Sequence, residues 1–285
     1  MFGKRPDGRV LRDIEPFQMI MPYIMKTRCD SMNMYEDTFP CEGMDTYIKA
    51  KAAEGIKLSY MHILIAATVR LIALRPQLNR FVMHGRIYAR PKIWVSFVVH
   101  PTLEDGSVGT TIKLCFEGTE TILEIAKIIN DAITKETTKR TSENGTDKLA
   151  RVLTCVPSPI IRFAVNTLMW MDKHSLLPKF IIDLSPFHTS FFITNLKSLG
   201  INYIHHHTYN FGTTGLFFAI GKEKVIPVVK GTELVHQKHM GFGLVSDERF
   251  CDGLYFANSL RELRKIMRNP AILEKPLDKK VEDVK

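Results

Sequence analysis

No run of about 18 uncharged apolar residues occurs in this 285-residue chain, which removes the usual signal for a membrane-spanning helix. The five cysteines (Cys29, Cys41, Cys115, Cys155 and Cys251) are scattered and form no C-x-x-C pair, so neither a zinc ribbon nor a disulfide framework is suggested. Phosphate-cradling glycine patterns are missing as well. No G-x-x-x-x-G-K-[ST] and no strand-to-helix G-x-G-x-x-G is present, and no G-x-S-x-G elbow marks a serine hydrolase. The opening MFGKRPDGRVLRD lacks the apolar stretch of a signal peptide. A cytoplasmic protein with reduced thiols is the default expectation.

Basic charge, by contrast, is in excess. The net charge is +9, which suits an anionic ligand such as a nucleotide-bearing cofactor, a nucleic acid, or an acidic membrane surface. It selects none of these, and no RNA-stacking or DNA-reading motif supports nucleic acid.

Residues 1–18 are polar and punctuated by Gly and Pro, and read as an arm. Met19 to Ser31 has the composition to start a helix, SMNMYEDTF partly alternates like a strand, and Gly43 to Glu54 again reads as helix. Ser59 to Arg75 carries the strongest helical signal. A serine can cap its start, Pro76 stands just past its end, and it is apolar nearly all round, as a buried helix would be. From Arg80 to Phe116 strands are expected at RIYA, IWVSFVVH and GTTIKLCF, followed by an amphipathic helix over Thr119 to Ile133 and a polar break at 135–148.

The segment at about 152–186 is unusually apolar and has three open readings: core or inter-subunit packing, membrane-surface contact, or a gate. Strands return at Ser190–Asn195, Gly215–Gly221, Lys224–Val229 and His239–Ser246, and a helix closes the pattern at Cys251–Arg268. Residues 276–285 form a charged tail, expected to be frayed or partner-bound. The expected class is α/β (α+β) with a mixed sheet, one domain over 19–275, and no linker or internal repeat.

The triple histidine His205-His206-His207 invites a metal reading, but a third ligand at a recognisable spacing is missing, so no metal is expected. The pair His236 and His239 carries less still. The informative stretch is GFGLVSDERFCDGLYFANSLRELRKIMRNP at 241–270. An apolar strand runs into Asp247-Glu248-Arg249, then Asp252-Gly253, then an amphipathic helix.

This stretch resembles the Asp-His-Arg-x-x-Asp-Gly signature of the catalytic domains of 2-oxo acid dehydrogenase (dihydrolipoamide) acyltransferases, a group related to chloramphenicol acetyltransferase. Four of the five signature positions match, and Glu248 stands where the family has its histidine. SFFITNLKSLG at 190–200 resembles the family's Phe-Thr-Ile-Ser/Thr-Asn-Leu-Gly segment, GIKLSYMHILIAATVRLIALRPQLN at 55–79 its Ile-Lys-Leu-Ser-Phe helix ending in Pro-x-Leu-Asn, and ILEIAKIINDA the helix beyond its central strands. The likeness covers about residues 20–275, apart from the insertion. Where the family commonly has Gly-Leu-Ile-Val-Pro-Val, this chain has Gly106 to Thr111 as GSVGTT.

The resemblance implies a chloramphenicol acetyltransferase-like mixed-sheet sandwich with flanking helices, acting as a homotrimer whose site forms where two subunits meet, with a cage as the higher assembly that family members often build. It implies acyl transfer between a lipoyl thiol and coenzyme A, with Thr194 as oxyanion donor, Glu248 in the general-base position and Asp252 as the ion-pairing, loop-holding acid. Asp247, Arg249, Gly253 and Asn195 would be structural at the motifs. No lipoyl domain is recognised here, so a lipoyl-bearing protein would act in trans. A free glutamate titrates near 4.3 against about 8.5 for a thiol, which makes it a poor base unless its surroundings raise it. Three readings therefore stand: an acyltransferase with a carboxylate base, a catalytically disarmed scaffold or coenzyme A-binding regulator, and a nucleic-acid or membrane-surface binder.

Overall fold

The chain packs around the helix with the strongest sequence signal. In the computed structural model, which describes residues 4–100, 102, 104, 107, 109–138 and 157–285, that helix is α3 (Tyr60–Leu74). Ser59 caps it in a reciprocal box with His62: the Ser59 side chain accepts from the His62 N–H, and the His62 Nδ1 accepts from the Ser59 N–H at 3.0 Å. Its interior is buried on nearly every side because it lies between α4 (Ile122–Thr138), the C-terminal helix α7 (Gly253–Arg268) and strand β5 (Ile93–Val99).

Two sheets flank this core. The small one has the order β1-β4-β3, from β1 (Arg9–Val10), β3 (Arg80–Met83) and β4 (Arg86–Ala89). The large one has the order β2-β9-β8-β7-β5-β6, adding β2 (Met32–Pro40), β6 (Thr110–Phe116), β7 (Phe191–Asn195), β8 (Leu216–Lys230) and β9 (Glu233–Asp247). Strands β5, β7 and β8 run parallel and the outer pairs antiparallel. The expected mixed sheet with flanking helices is therefore borne out. Helix α2 (Glu42–Ala53) matches its expected segment, whereas α1 (Pro16–Ile24) begins inside the expected arm and ends well short of Ser31; α2 meets α7 where Gly43 leaves no room for a side chain against the Arg268 backbone.

Three features differ from the sequence reading. Lys224–Val229 and His239–Ser246 are parts of one long hairpin, β8–β9, which continues past the sheet edge as a two-stranded ribbon turning at Gly231. The charges at Lys222 and Glu223 mask this continuity, and a register shift falls beside them. The tail is not frayed but docks on its own chain. Val281 N–H donates to Ala73 O at 2.8 Å, and Asp283 pairs with the buried Arg80 guanidinium at 2.6 Å. A buried cation needs a counter-charge, and the tail supplies it. Arm residue Arg5 is likewise buried, bridging Asp7 and Asp172.

The insertion yields two helices, α5 (Ser158–Lys173) and α6 (Lys179–Leu184). Its start at 152–156, Cys155, most of the polar break and part of the GSVGTT turn lie outside the described residues. No described helix is long and apolar enough to cross a membrane.

Candidate active site

Strand β9 ends at Asp247, and its carboxylate is the hub of the corner that follows. It is fully buried and accepts from Ser31 Oγ at 3.0 Å, from the Arg249 N–H at 3.2 Å, and from Arg249 Nε and Nη2 at 2.8 and 2.6 Å. Arg28 Nε lies 3.7 Å from its other oxygen. Arg28 also donates to Tyr209 O and Val82 O, and Arg249 to Met25 O, so the two guanidinia tie three separate segments to the end of β9. Burial, with the like charge of Arg249 adding to it, pulls the Arg28 guanidinium down to about 10 against the attraction of Asp247. It remains a cation at neutral pH.

Glu248 follows directly. Its N–H donates to Ser31 O at 2.8 Å, so the same Ser31 holds the backbone on one side and the Asp247 carboxylate on the other. The Glu248 side chain is exposed.

Phe250 and Cys251 turn inward. Burial pushes the Cys251 thiol up to about 12, which leaves it protonated and unreactive. Asp252 then caps α7, its Oδ1 accepting from the Tyr255 N–H at 2.7 Å. The resemblance gives Asp252 an ion-pairing part; in this chain the buried ion pairs of the motif converge on Asp247. Gly253 opens the helix in free space.

Thr194 and Asn195 end β7, both half-buried. Thr194 pairs with Ala219 on β8, which pairs with Gly243 on β9. Glu248 lies beyond Ser246, the β9 partner of Leu216. At ~3.3 Å per residue and ~4.8 Å between strands, the register separates Thr194 from Glu248 by roughly 19 Å within one chain. They belong to different ends of the sheet.

The sequence reading did not find what lies over the sheet between them. Residues 202–207 cross β8 and β9 as irregular chain, and a side chain at Gly243 would meet the Tyr203 ring at 2.7 Å. The glycines of GFG therefore admit this crossing. His206 stacks on Phe217 with ring centres 4.4 Å apart, and His205 contacts Tyr35 O at 3.2 Å, so the triple histidine is engaged in packing. Among the described residues no three His, Cys, Asp or Glu side chains gather as metal ligands.

A second cluster carried no sequence signal. Asp172 at the end of α5 pairs with Arg5 at 2.9 Å and lies 3.2 Å from His188 Nε2, while His188 Nδ1 meets Ser185 Oγ at 2.8 Å. Burial keeps His188 below its usual value despite Asp172. These groups lie more than a hundred residues apart in sequence from the arm they hold, and only the fold joins them.

No protein-family model matches the chain. It is 25% identical over 226 residues to the dihydrolipoyllysine-residue acetyltransferase component of the acetoin cleaving system of Bacillus subtilis (strain 168). That match covers 79% of this chain and 45% of the relative, so the chain spans about half the length of the curated relative it matches. A crystal structure of Azotobacter vinelandii dihydrolipoamide acetyltransferase, used to study a serine, a histidine and an asparagine in its catalytic mechanism, superposes with a TM-score of 0.59 at 15% identity, over 96% of this chain and 94% of that one. A chloramphenicol acetyltransferase superposes with a TM-score of 0.54 at 11% identity, over 91% and 99%. The chain thus has the chloramphenicol acetyltransferase-like fold, shared with dihydrolipoamide acetyltransferase catalytic cores. The resemblance read from its motifs is borne out at that level.

Proposed function

We propose that this chain is an acyltransferase that moves an acyl group between coenzyme A and a second thiol, acting as a homotrimer, with Thr194 of one copy facing Glu248 of the next. The single observation that carries the reading is the separation of Thr194 and Glu248 on one sheet. The two residues at the positions of the family's reacting pair sit at opposite ends of one sheet, as a site completed by a neighbouring copy requires. The Azotobacter enzyme was studied at a histidine and an asparagine four positions apart, and Glu248 and Asp252 have that spacing here.

In this mechanism the Glu248 carboxylate takes the proton of the attacking thiol, and the thiolate adds to the thioester carbonyl. The Thr194 hydroxyl donates to the tetrahedral oxyanion. Collapse expels the other thiolate, which recovers the proton from Glu248. The neighbouring copy would supply the burial that Glu248 lacks in its own chain. Residues 19–275 act as the catalytic unit, with 1–18 as its arm, about 152–186 as an insertion and 276–285 as the tail. A lipoyl-bearing protein is the natural acceptor in trans, higher assembly into a cage is compatible with the fold, and the cytoplasm would keep the thiols reduced.

A second reading rests on the exposure of Glu248 and the loss of the histidine: a disarmed trimeric scaffold or coenzyme A-binding regulator. Acetyl transfer from acetyl-coenzyme A to dihydrolipoamide separates the two. If the wild type turns over and Thr194→Ala loses about 10²–10³-fold, the transferase reading stands. A silent wild type that gains activity on Glu248→His would make the scaffold the better account.

A further inference from the structure

A cavity of about 960 Å³ lies between α1, the β3–β4 turn and α5, with Arg28, Asp172 and Arg249 lining it. The volume is that of a small-molecule site. Arg249 puts this cavity one residue from Glu248 along the chain. A smaller volume of about 390 Å³ adjoins it through Asn166 and continues along α5 past Phe163 to Pro159. One face of α5 thus lines both, with Phe163, Asn166, Trp170 and Lys173 at the spacing of a helical stripe. From Lys173 to Pro159 that stripe runs roughly 21 Å at 1.5 Å per residue.

The walls are apolar and open. Phe163 and Trp170 of α5 are 73% and 50% exposed, and Tyr23 of α1 across the cleft is 63% exposed. Trp170 packs against His174 at a tilt, and His174 against His84 of the β3–β4 turn, which braces the helix over the cavity. The mouth, in contrast, is cationic. Lys26, Arg86 and Lys173 are exposed there, and among the described residues no carboxylate pairs with any of them. Deeper in, the buried Arg28 Nε makes no hydrogen bond and has the Asp247 carboxylate 3.7 Å away. The one acid in the lining, Asp172, is occupied by Arg5 and His188.

We infer that this cleft binds a long-chain acyl thioester on a phosphorylated carrier, with the phosphates at Lys26, Arg86 and Lys173 and the acyl chain laid along α5. The inference rests on the acyl-transfer reading and names its donor class: a long-chain acyl-coenzyme A rather than acetyl-coenzyme A. Unpaired cations attract and hold the phosphates, and each methylene moved from water to the α5 stripe adds to affinity. The insertion that carries α5 is where the chain departs from the motifs of its relatives, and a change of acyl length is the consequence that its placement supports.

The test is binding of palmitoyl-, butyryl- and acetyl-coenzyme A to the full chain, below micellar concentrations, followed by calorimetry and by Trp170 fluorescence, with Trp170→Phe leaving Trp94 as the control. Palmitoyl-coenzyme A should bind at least about 100-fold tighter than acetyl-coenzyme A, since buried methylenes each count. Reversing the rim charges together (K26E, R86E and K173E) should weaken palmitoyl-coenzyme A at least about tenfold and flatten its salt dependence. Phe163→Asp should cost palmitoyl-coenzyme A more than acetyl-coenzyme A. These positions are exposed, and circular dichroism checks that the variants fold.

Equal affinity for all chain lengths overturns the inference. So does binding to phosphatidylglycerol vesicles without binding of the soluble thioester, or burial of Trp170 by self-association alone. Acetyl transfer without any chain-length effect would remove this site and leave the transferase reading. Chain-length-dependent binding without transfer would keep the site and remove that reading.

Discussion

The corner at the end of β9 and the insertion helices α5 and α6 are both built around buried charge, yet they expose opposite things. At the corner, Asp247, Arg28, Arg249 and Ser31 form a closed set, and the exposed group is a single polar one, Glu248. In the insertion, Asp172, Arg5 and His188 form the closed set, and what is exposed is a long apolar face. The difference teaches where each region's energy goes. The corner spends its ion pairs on holding one backbone position still. The insertion uses its pairs to fasten an amphipathic helix whose outer face then stays open to a ligand.

The largest expected effect breaks the corner. Asp247→Ala leaves Arg28 and Arg249 buried without their carboxylate, and loss of one partner of a buried pair costs about 3–5 kcal/mol. Urea unfolding should show it as a lower midpoint, and a loss under 1 kcal/mol would mean that the corner is not held as described. Breaking the insertion's hub should cost somewhat less, roughly 3 kcal/mol. Arg5→Ala leaves Asp7 and Asp172 without their shared cation, and limited proteolysis should then cut around α5 before the sheet core opens. Cleavage spread evenly over the chain would contradict a locally fastened helix.

Acid sharpens the comparison because the insertion's hub alone contains a histidine. Burial lowers His188 in the folded chain below its ordinary value. Between that lowered value and about 6.5 the unfolded chain binds the extra proton, so stability falls as pH drops through this window. Asp7 and Asp172 are held low by Arg5 and His188, with burial opposing, so their contribution is lost only at more acid pH, below the ordinary carboxylate range. His188→Gln should flatten the first window and shrink the second, since His188 is one of the groups that hold Asp172 low, as read from melting temperature against pH. The smallest effect belongs to the cap: Asp252→Ala should cost about 1 kcal/mol through the lost hydrogen bond at the start of α7. A loss several times larger would show that Asp252 has an ionic partner that the single chain does not reveal.

The sequence made the corner legible and the insertion nearly illegible, for physical reasons. Helix α3 announces itself through Ser59, Pro76 and an unbroken apolar surface, and α7 through Asp252 and its amphipathic spacing. Glu248 and Thr194 could be singled out because each sits in a string of residues with local meaning. Arg28 and Ser31 could not, since their partner Asp247 is more than 200 residues away. The same holds for Arg5 with Asp172 and for Arg80 with Asp283, where a tail that looked free is the counter-charge of a buried arginine. Strands β1 and β3, of two and four residues, are too short to give a period. In the sequence the hairpin β8–β9 looks divided at Lys222 and Glu223 because a ribbon projecting from a sheet no longer needs an apolar face.

The most direct test of the central claim mixes two inactive variants. Thr194→Ala and Glu248→Gln are each expected to lose acyl transfer as pure proteins, and co-expression of the two in equal amounts should assemble mixed trimers. If a site takes Thr194 from one copy and Glu248 from its neighbour, about a quarter of the interfaces in random trimers are intact and transfer returns to about a quarter of the wild-type rate. Transfer that stays at the level of the two parents, while the wild type is active, would contradict a site shared between copies.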